Sequence, residues 1–477
     1  MAFLADTIFA LASAPGRAGV AVMRISGPLA GEALRQLTGR DLPEPRRAAL
    51  REFHHPGGAL LDRGLALWFP APHSFTGEDV AELHLHGGRA IVSGMAAALA
   101  SMPGLRLAEP GEFTRRGFEN GKFDLTEAEA VIDLINAETE AQLRQALRQA
   151  DGALSRLYED WRARLLRALA HIEADIDFAD EDLPPGLAAA RVLELSGLRA
   201  ELAAHLADNR RGERLRDGYH IAILGPPNAG KSSLLNALAR RDAAIVSAVA
   251  GTTRDVIELQ LDLGGYPVIV ADTAGLRESE DAIESEGIRR AAARAGLADL
   301  KLLVFDGASL PDLDPMTLAL LDDRAMMVVN KQDLIFMENA KEASFPTPHR
   351  GERESRLISF DEKVNGMPAF AGMTTPFIIS LKTNFGIEAL IEALTARVAA
   401  ELADTGQPAL TRLRHRTALE ECAAHLDRAL AGLQEKRETA LTAEDVRLAM
   451  RALGRITGSV DTEDLLDVIF RDFCVGK

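Results

Sequence analysis

Eight residues, GPPNAGKS at 225–232, have the types and spacing of a loop that wraps a phosphate, G-x-x-x-x-G-K-S/T. Gly225 and Gly230 let the backbone come close to an anion, so that successive N–H groups and the N-terminus of a following helix face it. Lys231 has the reach for β- and γ-phosphates, and the Ser232 hydroxyl is placed to ligate Mg²⁺. Asn228, Ala229, Gly230, Lys231, Ser232 and Ser233 are therefore the expected phosphate contacts. The flanks fit: IAIL at 221–224 reads as a buried strand entering the loop, and SSLLNALAR at 232–240 as the helix leaving it.

A second set of residues could read the base. NKQD at 330–333 follows the apolar run AMMVV, and an Asp at position 333 can accept from the N1–H and N2–H₂ edge of guanine, which adenine lacks. The stretch resembles the N-K-x-D guanine motif of the GTPase superfamily, with Asn330, Lys331 and Asp333 as its residues. SLK at 380–382, after PFII, resembles the S-A-K loop that supports the base; Ser380, Leu381 and Lys382 occupy it, with Leu where Ala is usual. Between the two lies DTAG, in which Asp272 would hold the Mg²⁺ shell and Gly275 would offer an N–H to the γ-phosphate, with Thr273 and Ala274 between them. Four motifs in this order imply GTP. The segment 243–258 precedes the strand LQLDLGG, where a switch belongs, and Thr253 there is the expected second Mg²⁺ ligand. After DTAG comes Leu276, which cannot orient an attacking water, so the catalytic carboxylate must come from ESEDAIESEG. Arg277 is a candidate arginine finger in cis.

The elements around these motifs set the domain plan. A chain of 477 residues has room for about three domains. Residues 1–120 read as short strands and turns, with half-buried alternation in AVMRI and VAELHL. From 121 to 215 the period is helical: Leu154, Tyr158, Trp161, Leu165, Leu169, Ile172 and Ile176 recur at three- and four-residue steps, and Thr126 with Glu129 has capping-box spacing. Residues 216–400 form the nucleotide unit, and 401–477 return to helical period, with a second box at Thr442–Asp445 and an N-cap candidate at Asp461. The two helical zones flank the nucleotide unit, so they are expected to pack as one domain into which it is inserted. NKQD and SLK are 46 residues apart, where one helix and one strand need about twenty. The excess, 336–375, is rich in Pro, Gly and charge and reads as an insertion into a surface loop.

Composition excludes several classes. Net charge is −17, from 54 basic and 71 acidic residues, which argues against a protein that coats a polyanion. Two cysteines, Cys422 and Cys474, make no disulfide framework, and a reducing cytoplasm is the expected setting. The start, MAFLADTIFALASAP, has no basic n-region and carries Asp6 in its apolar stretch, so it is not read as a secretory signal. No membrane helix and no good prenylation box are expected.

Across nearly its full length the chain resembles the tRNA-modification GTPases of the MnmE (TrmE) family. The resemblance is carried by DTIFALASAPGRAGVAVMRISG, SFTGEDVAELHLHGG, EPGEFTRRGFENGKFDLTEAEAVIDLI, PNAGKSSLLNAL, AIVSAVAGTTRDV, DTAGLRE and the ending IFRDFCVGK. It implies a multidomain fold: an N-terminal α+β domain like folate-dependent aminomethyltransferases, a discontinuous helical domain and an inserted Ras-like α/β P-loop domain. It also implies a homodimer formed through the N-terminal domain, and a flavin (FAD) partner of the MnmG/GidA family in a heterotetramer. The activity implied is modification of C5 of the wobble uridine in certain tRNAs. The one-carbon unit would come from a tetrahydrofolate derivative, and the product would carry an aminomethyl or carboxymethylaminomethyl group.

Residue by residue, the resemblance extends the GTP contacts over Ser247, Ala248, Val249, Ala250, Gly251, Thr252 and Thr253. It puts a K⁺ site on Asn228, Ser247, Val249 and Thr252, where a cation would do the work of an arginine finger. Glu284 matches the catalytic glutamate. Folate contacts fall on Arg24, Glu82, Lys122 and Lys477, with cations for the glutamate tail and a carboxylate for the pterin donor edge; Cys474 matches a cysteine needed for modification.

Plainer readings stand beside these. Arg24 and Lys122 alone would be surface charges, Glu82 a solvent-facing strand residue and Cys474 a small buried hydrophobe. His84 and His86 suggest a metal pair but lack a third ligand, so they read as structural. Arg144, Arg148, Arg156 and Arg164 could meet tRNA phosphate or form a solvated helix face. The other function class is a ribosome-assembly GTPase, an RNA-binding switch. It expects a basic RNA module beside the nucleotide unit, where this chain has an acidic helical zone and the FCVGK tail.

Overall fold

The computed structural model describes residues 6–177, 187–240, 258–272, 296, 298–310, 312–334, 375–435, 439–460, 463–471, 473, 475 and 476. They form two compact units, one from Met1–Ile135, Ala146–Leu206 and Arg414–Lys477, the other from Asn136–Gln145 and Ala207–Leu413.

The first unit contains a six-stranded sheet of β1 (Thr7–Leu11), β2 (Ala18–Ser26), β3 (Ala49–His54), β4 (Leu60–Phe69), β5 (Val80–Gly87) and β6 (Leu105–Leu107), in the order β3-β4-β5-β2-β1-β6. Its pairings are antiparallel except β1 with β6. Alternation sorts the faces as expected. Met23, Ile25, Ala81, Leu83 and Leu85 enter one core, which leaves Arg24, Ser26, Glu82 and His84 on the opposite face. The local patterns read over 1–120 are strands and turns; three helices also form there, in keeping with the expected α+β domain. Helices α1 (Ala30–Thr38) and α2 (Arg89–Ala100) cover the apolar face through Leu34, Leu37, Met95 and Leu99. Helix α3 (Glu112–Glu119) places Phe113 against Ile8, Ala10 and Phe75 on the polar side.

Helices from both ends of the chain complete this unit. The long helix Ala153–Asp177 packs on Thr439–Thr457. It buries Leu154, Tyr158, Trp161, Leu165, Leu169 and Ile172, as the periodicity predicts, whereas Ile176 is 40% exposed at the fraying end. Arg199 pairs with Asp427 at 2.8 and 3.0 Å, and Arg447 reaches Glu173 at 2.7 Å.

Both expected capping boxes are displaced. Helix α4 (Leu125–Asn136) is capped two residues earlier: Asp124 accepts from the Glu127 N–H at 2.9 Å, and Glu127 accepts from the Asp124 N–H at 2.8 Å. Glu129 is instead drawn into the core by Arg414 and His415. Thr442 and Asp445 lie inside the helix Thr439–Thr457, and Asp445 pairs with Arg428 at 2.9 Å. Asp461 lies outside the described residues, as does the proposed insertion up to 374.

The second unit has a sheet of β7 (Tyr219–Leu224), β8 (Glu258–Leu263), β9 (Tyr266–Asp272), β10 (Leu300–Asp306), β11 (Ala325–Asn330) and β12 (Phe377–Ile378), ordered β12-β11-β10-β7-β9-β8. Only β8 with β9 is antiparallel. Strands β7 and β10 are covered on both faces over IAIL and LLVF, which is why those stretches read as apolar runs. Strands β7, β9, β11 and β12 run parallel, so the phosphate loop, Asp272 and the two base loops lie at the carboxyl ends of the strands.

Candidate functional site

The phosphate loop joins central strand β7 to the helix Lys231–Ala239. Its glycines are required. At Gly225 (φ +152°) an added Cβ would lie 2.2 Å from the Val304 carbonyl oxygen, and at Gly230 (φ +103°) 2.2 Å from Asn330 Nδ2. Asn228 is left-handed too, at φ +60°, a conformation asparagine tolerates. Lys231 curls over the loop, its Nζ donating to the carbonyls of Gly225 (2.9 Å) and Pro226 (2.8 Å). Ser232 and Ser233 are exposed at the start of the helix, and Ala229 is buried. This is a cradle of main-chain donors with one cation and one hydroxyl at its rim, and it fits a nucleotide phosphate and Mg²⁺.

The two base loops are tied together and to that cradle. Asn330 Nδ2 donates to the Ala229 carbonyl at 2.9 Å, while its Oδ1 accepts from the Leu381 N–H at 3.3 Å. Asp333 accepts from the Ser380 hydroxyl at 2.7 Å, and Lys382 Nζ lies 3.9 Å from its second oxygen. Lys331 (φ +65°) pairs with Asp306 at 2.5 Å. Asp306 was not anticipated; its one signal is its place at the end of the apolar strand LKLLVFD, level with Asn330.

Asp272 ends β9, but Thr273, Ala274 and Gly275 lie outside the described residues. So do Ser247, Ala248, Val249, Ala250, Gly251, Thr252, Thr253, Glu284, Cys474 and Lys477. Of the K⁺ and Mg²⁺ ligand sets, Asn228 and Ser232 are the described members.

The polar face of the N-terminal sheet brings two predicted residues into contact. Arg24 and Glu82 are register partners on β2 and β5, and Glu82 Oε1 accepts from Arg24 Nε at 2.9 Å with Nη2 at 2.8 Å. The guanidinium sits over two rings, 5.5 Å from the centre of Phe75 and 5.7 Å from that of Phe113. Phe75 in turn meets Phe123 at 5.4 Å, next to Lys122, whose Nζ donates to the Pro72 carbonyl at 2.9 Å. Beside this, Arg116 is buried with Glu78 (3.1 Å) and Asp6 (2.7 Å), and Ser26 donates to Glu78 at 2.8 Å. Phe75, Phe113, Glu78 and Arg116 were not anticipated, although all lie in the family-like stretches SFTGED and GEFTRRGF. A cation between aromatic faces, joined to a carboxylate, suits a ligand with a flat heterocycle and an anionic tail.

The end of the chain docks on the same domain. Val475 bridges Pro110, Phe473 is 5% exposed against Phe470, and a Cβ at Gly476 (φ +96°) would lie 2.2 Å from the Leu11 carbonyl oxygen. Leu11 and Ala10 pair with Met23 and Arg24. The tail therefore arrives beside the strand that carries Arg24.

The helix arginines have local partners: Arg144 with Glu140 (2.7 Å), Arg164 with Glu201 (2.8 Å), and Arg156 with the Asp151 carbonyl (2.5 Å). Arg144 and Arg156 fit a solvated face, whereas Arg164 is 18% exposed and reaches a neighbouring helix through Glu201. Among the described residues no helix is long and apolar enough to cross a membrane.

A glycine loop between the central strand of a parallel sheet and its helix, with an aspartate held by a serine on the neighbouring base loop, defines a P-loop GTPase fold. Two family models match the chain: "GTP-binding protein TrmE N-terminus" over residues 7–122 and "MnmE helical domain" over 125–474. Relatives match from end to end. The tRNA modification GTPase MnmE of Paramagnetospirillum magneticum is 56% identical over 474 residues, covering 99% of this chain and 100% of that one. The mitochondrial 5-taurinomethyluridine tRNA synthase subunit GTPB3 of Homo sapiens is 47% identical over 491 residues, covering 99% and 93%. The chain belongs to the MnmE family of tRNA modification GTPases.

Proposed function

We propose that this chain is a K⁺-activated GTPase that acts with a flavin-dependent MnmG/GidA-like partner. Together they add an aminomethyl or carboxymethylaminomethyl group to C5 of the wobble uridine of certain tRNAs, using a tetrahydrofolate one-carbon unit. One observation carries the reading. Similarity to proteins named for tRNA modification extends over 99% of the chain, through both the phosphate loop and the Arg24–Glu82 pocket. The product named for the mitochondrial relatives is a 5-substituted uridine, which supports chemistry at C5.

In this reading the working parts are residues 1–120 for folate and dimer formation, 121–215 with 401–477 for the helical domain, and 216–400 for GTP. Lys231 and the loop N–H groups hold the phosphates, and Asp333 receives the guanine edge. Bound Mg²⁺ and K⁺ supply positive charge against the β- and γ-phosphates; Ser232 with Thr253 would hold the first, and Asn228 with Ser247, Val249 and Thr252 the second. Glu284 is the general base, and its Ala variant is expected to lower kcat about 100-fold. Lys122 and Lys477 bind the folate carboxylates and Glu82 its heterocycle, with Arg24 holding Glu82 in place, and Cys474 is needed for modification. The test is mass spectrometry of tRNA nucleosides from cells lacking this chain. Loss of the C5 modification at the wobble uridine is expected, and an unchanged nucleoside profile would refute the reading.

A further inference from the structure

His84 stands on β5 two residues beyond Glu82, on the same face of the sheet. Its register partners are Val22 on β2 and Leu65 on β4, neither of which has a polar side chain. The side chain as a whole keeps 32% exposure. Its Nε2, however, is shut away from solvent and has no hydrogen-bond partner among the described residues. That nitrogen lies 3.7 Å from Glu82 Oε2. The separation is too long for a hydrogen bond, yet short enough for one group to touch both atoms. Glu82 Oε1 is occupied by Arg24, whose two nitrogens approach within 2.9 Å. His86 is different, its Nδ1 lying 2.8 Å from Asp62 Oδ1. A buried imidazole nitrogen without a partner carries a desolvation cost that a ligand hydrogen would remove.

We propose that His84 is a further ligand-binding residue of this site: on binding, the half-exposed ring turns its Nε2 toward the ligand, so that Glu82 Oε2 and His84 Nε2 together accept the two hydrogens of an exocyclic amino group on the bound heterocycle. The inference rests on the folate reading above and adds a specificity-determining residue to it. A primary amine has two hydrogens for two acceptors this far apart; a carbonyl at the same place would meet only acceptors. The pair therefore selects a 2-amino heterocycle, as in a reduced pterin, over its oxo analogue. In this arrangement the His84 ring proton sits on Nδ1, which leaves the Nε2 lone pair to accept.

The test uses the full chain and 5-formyl-tetrahydrofolate, with binding measured by calorimetry for the wild type, Arg24→Ala and three variants at 84. His84→Ala is expected to bind about tenfold more weakly, the scale of one hydrogen bond to a buried acceptor. His84→Gln can place its amide oxygen near the Nε2 position and is expected to recover most of the affinity. His84→Asn places its amide near Nδ1 and is expected to bind as poorly as the Ala variant. Wild-type affinity in His84→Ala, or equal rescue by Asn and Gln, overturns the assignment. If the wild type binds and Arg24→Ala does not, such a result counts against His84 alone. If the wild type does not bind, the folate reading fails and the inference fails with it. Far-UV circular dichroism identifies any variant that has lost its fold, and the Gln–Asn comparison then decides between two substitutions of similar polarity.

Discussion

Glu129 and Arg414 are 285 positions apart and meet in a two-pronged ion pair, Nε to Oε1 at 2.6 Å and Nη2 to Oε2 at 2.8 Å. The whole nucleotide-binding unit lies between them in sequence. His415 Nε2 adds a contact to Oε2 at 2.9 Å, and Arg414 Nη1 also donates to the Ile456 carbonyl at 3.0 Å. One buried carboxylate thus fastens α4 to two helices from the far end of the chain. Burial opposes its ionisation, but the charges of Arg414 and His415 prevail and hold the carboxyl well below the usual range.

Breaking this pair should loosen the first unit. Glu129→Gln removes the charge opposite Arg414 and is expected to cost about 3 kcal/mol, the scale for leaving a buried partner uncompensated. Both tryptophans, Trp68 and Trp161, lie in this unit, so their fluorescence in a urea titration reports it. The pH dependence has a definite sign. A carboxyl depressed in the folded state contributes its full stability above its unfolded value, near 4.5, and loses it as the pH falls further. The gap between wild type and Glu129→Gln should therefore narrow as the pH falls below about 4.5. A gap that stays constant down to pH 3 would contradict the assignment.

The same residue shows where sequence reasoning stops. Asp124 with Glu127 and Thr126 with Glu129 both have capping-box spacing, and nothing local separates them. The choice was made by Arg414, which takes Glu129 for the core. The phosphate and base loops were legible because their chemistry is contiguous: Gly225, Gly230, Lys231, Asn330 and Asp333 lie in short runs with the spacing that phosphate and guanine require. Arg24 with Glu82 was legible only through resemblance, since a cross-strand pair joins residues 58 apart. Asp306 and the rings of Phe75 and Phe113 were missed because their roles come from strand order and loop packing. Helix α2 was missed for another reason: its sequence, RAIVSGMAAALA, is apolar or small almost throughout and leaves little period to detect.

The nucleotide unit should separate K⁺ from Na⁺. GTP hydrolysis is expected to be faster in K⁺ at equal ionic strength, and loss of the Asn228 side chain should remove the difference. Gly is the cleaner replacement, because φ is +60° and Ala there would add backbone strain to the loss of the amide. Asn228→Gly should bind GTP nearly normally while hydrolysing it at one rate in both salts. If the wild type shows equal rates, the K⁺ site is wrong; if Asn228→Gly keeps the difference, the ligand lies elsewhere.

Base selection depends on Asp333 and on what holds it. Asp333→Asn should weaken GTP and admit xanthosine triphosphate, whose C2 carbonyl accepts where guanine donates. Ser380→Ala removes the 2.7 Å hydrogen bond that positions the carboxylate. It should weaken GTP roughly fivefold, about the worth of one such bond, without favouring xanthosine. Competition binding with a fluorescent guanine nucleotide measures both. A switch in base preference by Ser380→Ala would mean that the serine, not the aspartate, reads the base.

The tail tests how the chain's last residues reach the N-terminal domain. Phe473 buries apolar surface, whereas Val475 is 46% exposed and holds its place by backbone pairing with Pro110. The tight point is Gly476, where φ is +96° and the Leu11 carbonyl leaves no room for a Cβ. Val475→Ser should therefore be silent. Gly476→Ala should push the tail off β1 and reduce binding of 5-formyl-tetrahydrofolate by at least the tenfold expected from losing one charged contact, Lys477 to a ligand carboxylate. Deleting 474–477 should weaken folate binding as much and abolish tRNA modification, since it also removes Cys474. GTP turnover should persist in each variant, because the nucleotide motifs lie in the other unit. If Gly476→Ala and the deletion both bind the folate as tightly as the full chain, the tail has no part in the pocket and Lys477 is not a folate ligand.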